Sequence, residues 1–245
     1  MEHQVKDNLL PIILAYVGFI FTWGFSQILD IETSGGLPAF LSLVFFLVVY
    51  VSAFGIALPF FLSIQYGYEL HGSASKISRM IGIAALVGGF VIGVFFSDAL
   101  PLIKANPPTT AGIIKYLLLF APMALAICLQ CFFLVPMTIK SFCNDKISAI
   151  ILPVSGAVLS IGFGFWVDQL FRDFDLAMVM MMLGTFFGLG AVLTQSLYLT
   201  YFFFFPTMLI NTLSEGKYTE FSWGPLIIGF VCTSAIIFNH FNRAD

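Results

Sequence analysis

Few residues in this chain are able to do chemistry, and their spacing decides what that chemistry could be. Cys128 and Cys131 form a Cys-x-x-Cys pair that a helix would present on one face, the arrangement of a redox couple or of half a metal site. No second pair stands beside it, since Cys143 and Cys232 lie elsewhere, and an apolar surrounding keeps a thiol protonated and inert. The histidines, His3, His71 and His240, place no two imidazoles on one apolar helix, so neither haem nor a tetrahedral metal site is expected. Nucleophilic catalysis needs a base beside the nucleophile. Ser155-Gly156 offers a small-residue setting, but no helix brings it a histidine. Paired aspartates within the apolar stretches are missing as well. The expectation is a chain with no catalytic residues, no metal and no cofactor.

What remains inside the apolar stretches is polar and uncharged. Asp98, Asp168, Glu69, His71 and Lys115 all fall at the ends of stretches, where side chains reach water or headgroups. Gln65, Gln130, Gln195 and Asn211 mark the place to look for a polar cavity, because polar groups between helices need partners in hydrocarbon. The same four residues would serve equally as interhelical hydrogen bonds of about 0.6 kcal/mol each. Small residues recur at four-residue spacing in Gly89 and Gly93, in Gly156, Ser160 and Gly164, and in Gly184 and Gly188. Such stripes let backbones approach, within the chain or against a partner, and the sequence leaves both open. The Met180-Met181-Met182 run and the aromatic run from Tyr201 to Phe205 have the character of packing or lipid-facing surface rather than of ligand boxes.

The elements that must position these residues follow from composition. Only 9% of the 245 residues are charged, against roughly a quarter in a soluble domain, and mean hydropathy is +1.01. Ten basic against thirteen acidic residues cannot assemble a basic stripe, which excludes nucleic acid as a partner and leaves the lipid bilayer. A spanning helix needs about 20 apolar residues. Blocks that qualify run near 9–29, 37–67, 80–100, 112–138, 147–167, 176–213 and 224–241. The sixth is too long for one helix and has a polar notch at Thr194-Gln195-Ser196. It divides there into 176–195 and 198–213, or else forms one broken helix. Residues 1–245 thus read as a single all-α domain, a polytopic transmembrane bundle of eight helices by the first division and seven by the second.

Charge favours eight. With both termini cytoplasmic, the inner segments hold Lys6, Lys76, Arg79, Lys140, Lys146 and Arg243 and net about +1, and the outer segments net about −4, the asymmetry that retention of Lys and Arg produces. Seven crossings would move only the segment carrying Arg243. The first block has no small-residue cleavage site before Asp30 and reads as a retained helix. Compact loops and the absence of a targeting signal point to a bacterial cytoplasmic membrane.

Between Lys115 and Leu213 the order of residues is distinctive. Ala121-Pro122 precedes Leu129-Gln130, with Leu134 beyond them, and the next helix runs from Ser155 through Leu159 to Phe163. A Gly-rich stretch, Gly184 to Gly190, leads to Thr194-Gln195-Ser196, and then come Pro206, Thr207 and Asn211. This layout over 115–213 resembles the core of the CAAX-protease and bacteriocin-processing (CPBP) family of intramembrane proteins. That family carries Pro before Glu-Glu-x-x-x-Arg, then Phe-x-x-x-His, then His-x-x-x-Asn after a Gly-rich helix. On the likeness, Leu129 and Gln130 stand at the two Glu, Leu134 at the Arg, Leu159 at the Phe and Phe163 and Thr207 at the two His. Asn211 alone is retained. In the family the Glu activates water and the His residues help to stabilise the oxyanion. The resemblance therefore implies a pseudoprotease, with Gln130 and Asn211 facing the old active-site cavity.

The expected function is a non-catalytic membrane subunit or scaffold that binds another membrane protein through its Gly-rich helix faces. The alternative is the permease subunit of a transporter with a separate ATPase partner. Its coupling segments would be Tyr68 to Arg79 and Ile139 to Lys146.

Overall fold

Apolar runs of this length can satisfy their backbone groups in lipid only by folding as helices, and every regular element among the described residues is one. The structure, a computed structural model, describes residues 9–28, 37–95, 99–165, 174–215 and 222–242. Helix α1 spans Leu10–Ile28. Helix α2, Leu37–Phe45, continues through a π-helical stretch, Phe46–Ala57, into α3, Leu58–Gln65. Helix α4 spans Lys76–Phe95 and is followed by the short α5, Ala99–Ala105. Helix α6, Thr110–Ile127, also passes through a π-helical stretch, Cys128–Leu134, into α7, Val135–Ser141. Helices α8, Ser148–Phe165, α9, Phe174–Thr194, α10, Leu197–Glu215, and α11, Trp223–Asn242, complete the chain.

Among the described residues four runs are long and apolar enough to cross a membrane: Ala39–Gln65, Lys76–Phe95, Thr110–Ser141 and Trp223–Asn242. Shorter apolar stretches lie in α1, α8, α9 and α10. The third apolar block differs from the sequence reading, because its helix starts earlier, at Lys76, and ends at Phe95, with Ala99–Ala105 as a separate element.

Both π-helical stretches end two residues before a proline. Leu58 N–H donates to Ala53 O and Val135 N–H to Gln130 O, each a five-residue closure, and the next residues are Pro59 and Pro136. Proline brings no N–H and its ring collides with the carbonyl four residues back, here that of Gly55 or Phe132. Widening the preceding turns to π geometry relieves that collision. Pro122, Pro153 and Pro206 sit inside helices that stay α-helical, so proline alone does not dictate the widening.

The helical runs alternate in direction between two ends of the bundle. At one end Gly224 lies against Phe40, and the Lys115 ammonium stands 5.3 Å over the Trp223 ring. At the other, His240 stacks on Phe60 at 4.4 Å, Tyr68 meets Thr138, and Leu197 N–H donates to Leu70 O. Helix α1 begins at this second end, where Ile12 and Ala15 group with Leu62, Tyr66 and Leu134.

The long sixth block divides, as its polar notch suggests. Gln195 takes φ 52°, a left-handed conformation that breaks the helix between α9 and α10. Leu183, twelve residues before the break, and Thr207, twelve after it, both flank Gly93 of α4. The chain therefore doubles back at Gln195, and α9 and α10 run antiparallel. At the centre Phe132, Phe187 and Phe204 close on one another with ring centroids 5.2–5.9 Å apart. The most apolar window of Thr110–Ser141 is 78% buried and that of Trp223–Asn242 only 22%, which makes the former the axis of the bundle and the latter its periphery.

Candidate functional site

Gln130 lies in the π-helical stretch of the central run and is completely buried. Neither its side-chain nitrogen nor its oxygen has a hydrogen-bond partner in the protein. An amide left so costs about 1–3 kcal/mol by mutational measures, so Gln130 is a strained choice for mere filling. The Ser63 hydroxyl on α3, also fully buried, lacks a partner in the same way.

The other polar candidates are placed elsewhere. Asn211 on α10 donates its amide to Gly93 O at 2.7 Å and to Thr207 O at 2.8 Å, tying α10 to α4. It lies seven residues, roughly two turns, along α10 from the Phe204 that packs on Phe132. Gln195 occupies the α9–α10 turn, where its Oε1 accepts from Ser73 Oγ at 2.9 Å. Gln65 is exposed at the end of α3. The structure thus distributes the four residues over the bundle centre, one lateral contact and the end that carries Tyr68.

That end is built by a strap, residues 66–75, laid on the α9–α10 turn. Gly72 has φ 93°, and a Cβ there would come within 2.7 Å of Thr194 O, so the strap needs glycine at this point. Ser78 Oγ donates to Leu193 O at 2.8 Å, and His71 stacks on Tyr198 at 5.0 Å. The Thr138 hydroxyl donates to Leu134 O, which leaves its oxygen to accept from Tyr68 at 3.4 Å. Burial pushes the Tyr68 phenol above its ordinary pKa, and its bonds to Thr138 and Ser141 pull it partly back. Asp145, in the next connection, accepts from Ile147 N and Ser148 N at 2.9 and 2.8 Å and so caps α8. Its carboxyl is held below the usual range, chiefly by the Ser148 hydroxyl.

Cys128 and Cys131 are free thiols within the π-helical stretch. Both are buried, and the two thiols are within electrostatic reach of one another as well as of tyrosines on neighbouring helices, Cys128 of Tyr201 on α10 and Cys131 of Tyr16 on α1 and of Tyr50.

The small-residue stripes are covered by the chain itself. Gly89 faces Phe186 and Phe187, Gly93 faces Leu183 and Thr207, Gly184 faces Val158, and Gly188 faces Ala157. Gly156 is closed by Ile139, and Ser160 is buried with its hydroxyl bonded to Gly156 O. The packing of Gly164 lies outside the described residues. Among the described residues the stripes are therefore taken up by contacts within the chain. Sequence spacing also passed over Ser63 and both π-helical stretches, whose signals were Pro59 and Pro136 within apolar blocks.

Of the positions equated with the CPBP motif, Leu129 and Leu134 are fully buried, Leu159 is exposed, and Thr207 bonds its own helix at Phe203 O. Phe163 lies among the residues whose side chains are not described. No protein-family model, curated protein or solved structure matches the chain.

Proposed function

We propose that the chain is a non-catalytic membrane subunit with eight crossings that associates with another membrane protein. The eight alternating helical runs support the count, and the end carrying Tyr68 and Thr138 supports the orientation. Lys76, Arg79 and Lys146 are exposed there, as expected of a cytoplasmic face, and α1 begins and α11 ends on that side. A bacterial cytoplasmic membrane is the setting that the compact connections favour. The layout shared with the CPBP core fits a degenerate member in which Gln130 replaces a water-activating Glu.

The observation that carries the reading is the outer face of α11, the least buried of the long runs. Between the exposed Val231 and Phe238 it presents Ser234 and Ala235, both exposed. Small and hydroxyl-bearing residues are what helix–helix contacts in membranes use. The partner thus docks on α11 rather than on the glycine stripes.

The test is purification of the tagged chain from its native membrane in mild detergent, with mass spectrometry of what stays bound. A membrane protein retained by the parent and released by Ser234→Trp supports the subunit. The second reading, a permease subunit, has its own observation. Tyr68 to Arg79 and Ile139 to Lys146 lie side by side through the Tyr68–Thr138 contact and form one surface for an ATPase. Stoichiometric recovery of an ATPase would replace the first reading by this one.

A further inference from the structure

Among the described residues two completely buried polar side chains, Gln130 and Ser63, are without a protein partner, and the fold sets them on adjacent runs about one turn apart in height. Gly55 lies against Ala126, and Leu62 groups with Leu134, so the two π-containing runs lie side by side and point the same way. Counting along from Gly55 and Ala126 puts Gln130 at the level of Pro59, and Ser63 roughly one turn nearer the end with Tyr68. Thr138 and Tyr68 then stand beyond Ser63, at that end. We propose that Gln130 and Ser63 form a hydrogen-bonding station for a small uncharged molecule of the amide or alcohol class, entering from the end that carries Tyr68 and Thr138.

The class follows from the groups that the two side chains offer. Gln130 offers two donors and an acceptor oxygen, and Ser63 one donor and one acceptor. The neighbouring titratable groups include the Cys128 and Cys131 thiols, the phenols of Tyr16, Tyr50 and Tyr68, and the His240 imidazole stacked on Phe60 of α3, none of which is a fixed charge at neutral pH. A carboxylate or an ammonium would find no counter-charge there and would be rejected by its own desolvation. Entry requires α3 and the stretch Cys128–Leu134 to part. Pro59, at the level of Gln130, and Pro136, just beyond that of Ser63, each remove a ladder bond from their run, which is where parting is easiest. The station does not depend on the subunit or the permease reading, since neither gives Gln130 a ligand to bind.

The test uses Ser63→Cys in a full chain carrying Cys128→Ala, Cys131→Ala and Cys143→Ala, purified in mild detergent and treated with the neutral reagent N-methylmaleimide. Native Cys232 on α11 is retained as an internal control. The expected result is modification at Ser63→Cys that acetamide slows, with Cys232 unaffected. Adding Gln130→Met, which keeps the shape and removes the amide, should weaken that protection roughly fivefold, the worth of one neutral hydrogen bond. Two results would overturn the proposal. One is a cysteine at 63 that reacts only after unfolding, so that no path exists. The other is a cysteine that reacts but is indifferent both to acetamide and to Gln130→Met.

Discussion

Gly184→Ala and Gly188→Ala change the same residue type one turn apart on α9, yet they should move stability in opposite directions. A Cβ at Gly184 would stand 3.4 Å from Val158 Cα and 3.6 Å from its Cγ2, which is ordinary contact. Alanine there gains the helix-propensity difference of about 1 kcal/mol with little to offset it. At Gly188 the Cβ would stand 2.9 Å from the Cβ of Ala157, well inside the carbon–carbon optimum of about 3.5–4.0 Å. Ala157 is fully buried and its methyl, fixed to the backbone, has no rotamer to escape into, so α8 and α9 must separate. Overpacking of this kind costs about 1–3 kcal/mol, which after the same propensity gain leaves Gly188→Ala between neutral and about 2 kcal/mol destabilised. At about 2–4 °C per kcal/mol for a chain of this length, the two variants should melt several degrees apart. Thermal unfolding followed by circular dichroism in one mild detergent measures the difference. Equal losses at both positions would refute the α8–α9 spacing from which the signs were derived.

At the α9–α10 turn, Gln195→Val should lower the melting temperature sharply, since a β-branched residue resists φ 52°. Gln195→Gly should be close to neutral, because relief of about 1 kcal/mol of left-handed strain is offset by loss of the Ser73 bond. Between Ser52 and Thr233, whose hydroxyls lie 3.3 Å apart across the bundle, a double-mutant cycle with alanine should give a coupling of about 0.6 kcal/mol. A coupling of zero would mean that α11 does not sit on the Phe46–Ala57 stretch. The Asp145 cap should be pH-dependent. Its native pKa is depressed by Ser148, so its contribution is complete above the ordinary carboxylate pKa and is lost as pH falls through the lowered native value. Amide exchange at Ile147 and Ser148 should quicken over that acid range beyond its intrinsic rate, and Asp145→Asn should abolish the dependence.

Much of the architecture is written in hydropathy, because lipid admits so few ways of satisfying a backbone. The apolar blocks become helices at nearly their expected bounds, and the notch at Thr194-Gln195-Ser196 becomes the turn between α9 and α10. The close approaches were only half legible. Four-residue spacing finds Gly93 and Gly188, but Gly55 has no small partner at that spacing, and Gly190 and Gly229 have only a threonine, Thr194 and Thr233. What makes them tight is the residue opposite, respectively Ala126, Leu86 and Leu47, and that is a fact of tertiary register. The wider ladder around Cys128 and Cys131 is not legible for a related reason, since periodicity assumes the α ladder and the chain here uses the π one.

Gln130 joins these threads, because stability and the proposed station make opposite demands on it. If the amide merely filled space, an apolar residue of the same shape would serve better, and Gln130→Met would recover some of the cost of an unpaired buried group at no loss. A local choice that contradicts the surrounding packing is where function is expected to sit. The combination of a more stable Gln130→Met protein with weakened acetamide protection is therefore the signature of a binding residue. Greater stability with protection intact would mark Gln130 as a packing residue and return the station to Ser63 alone.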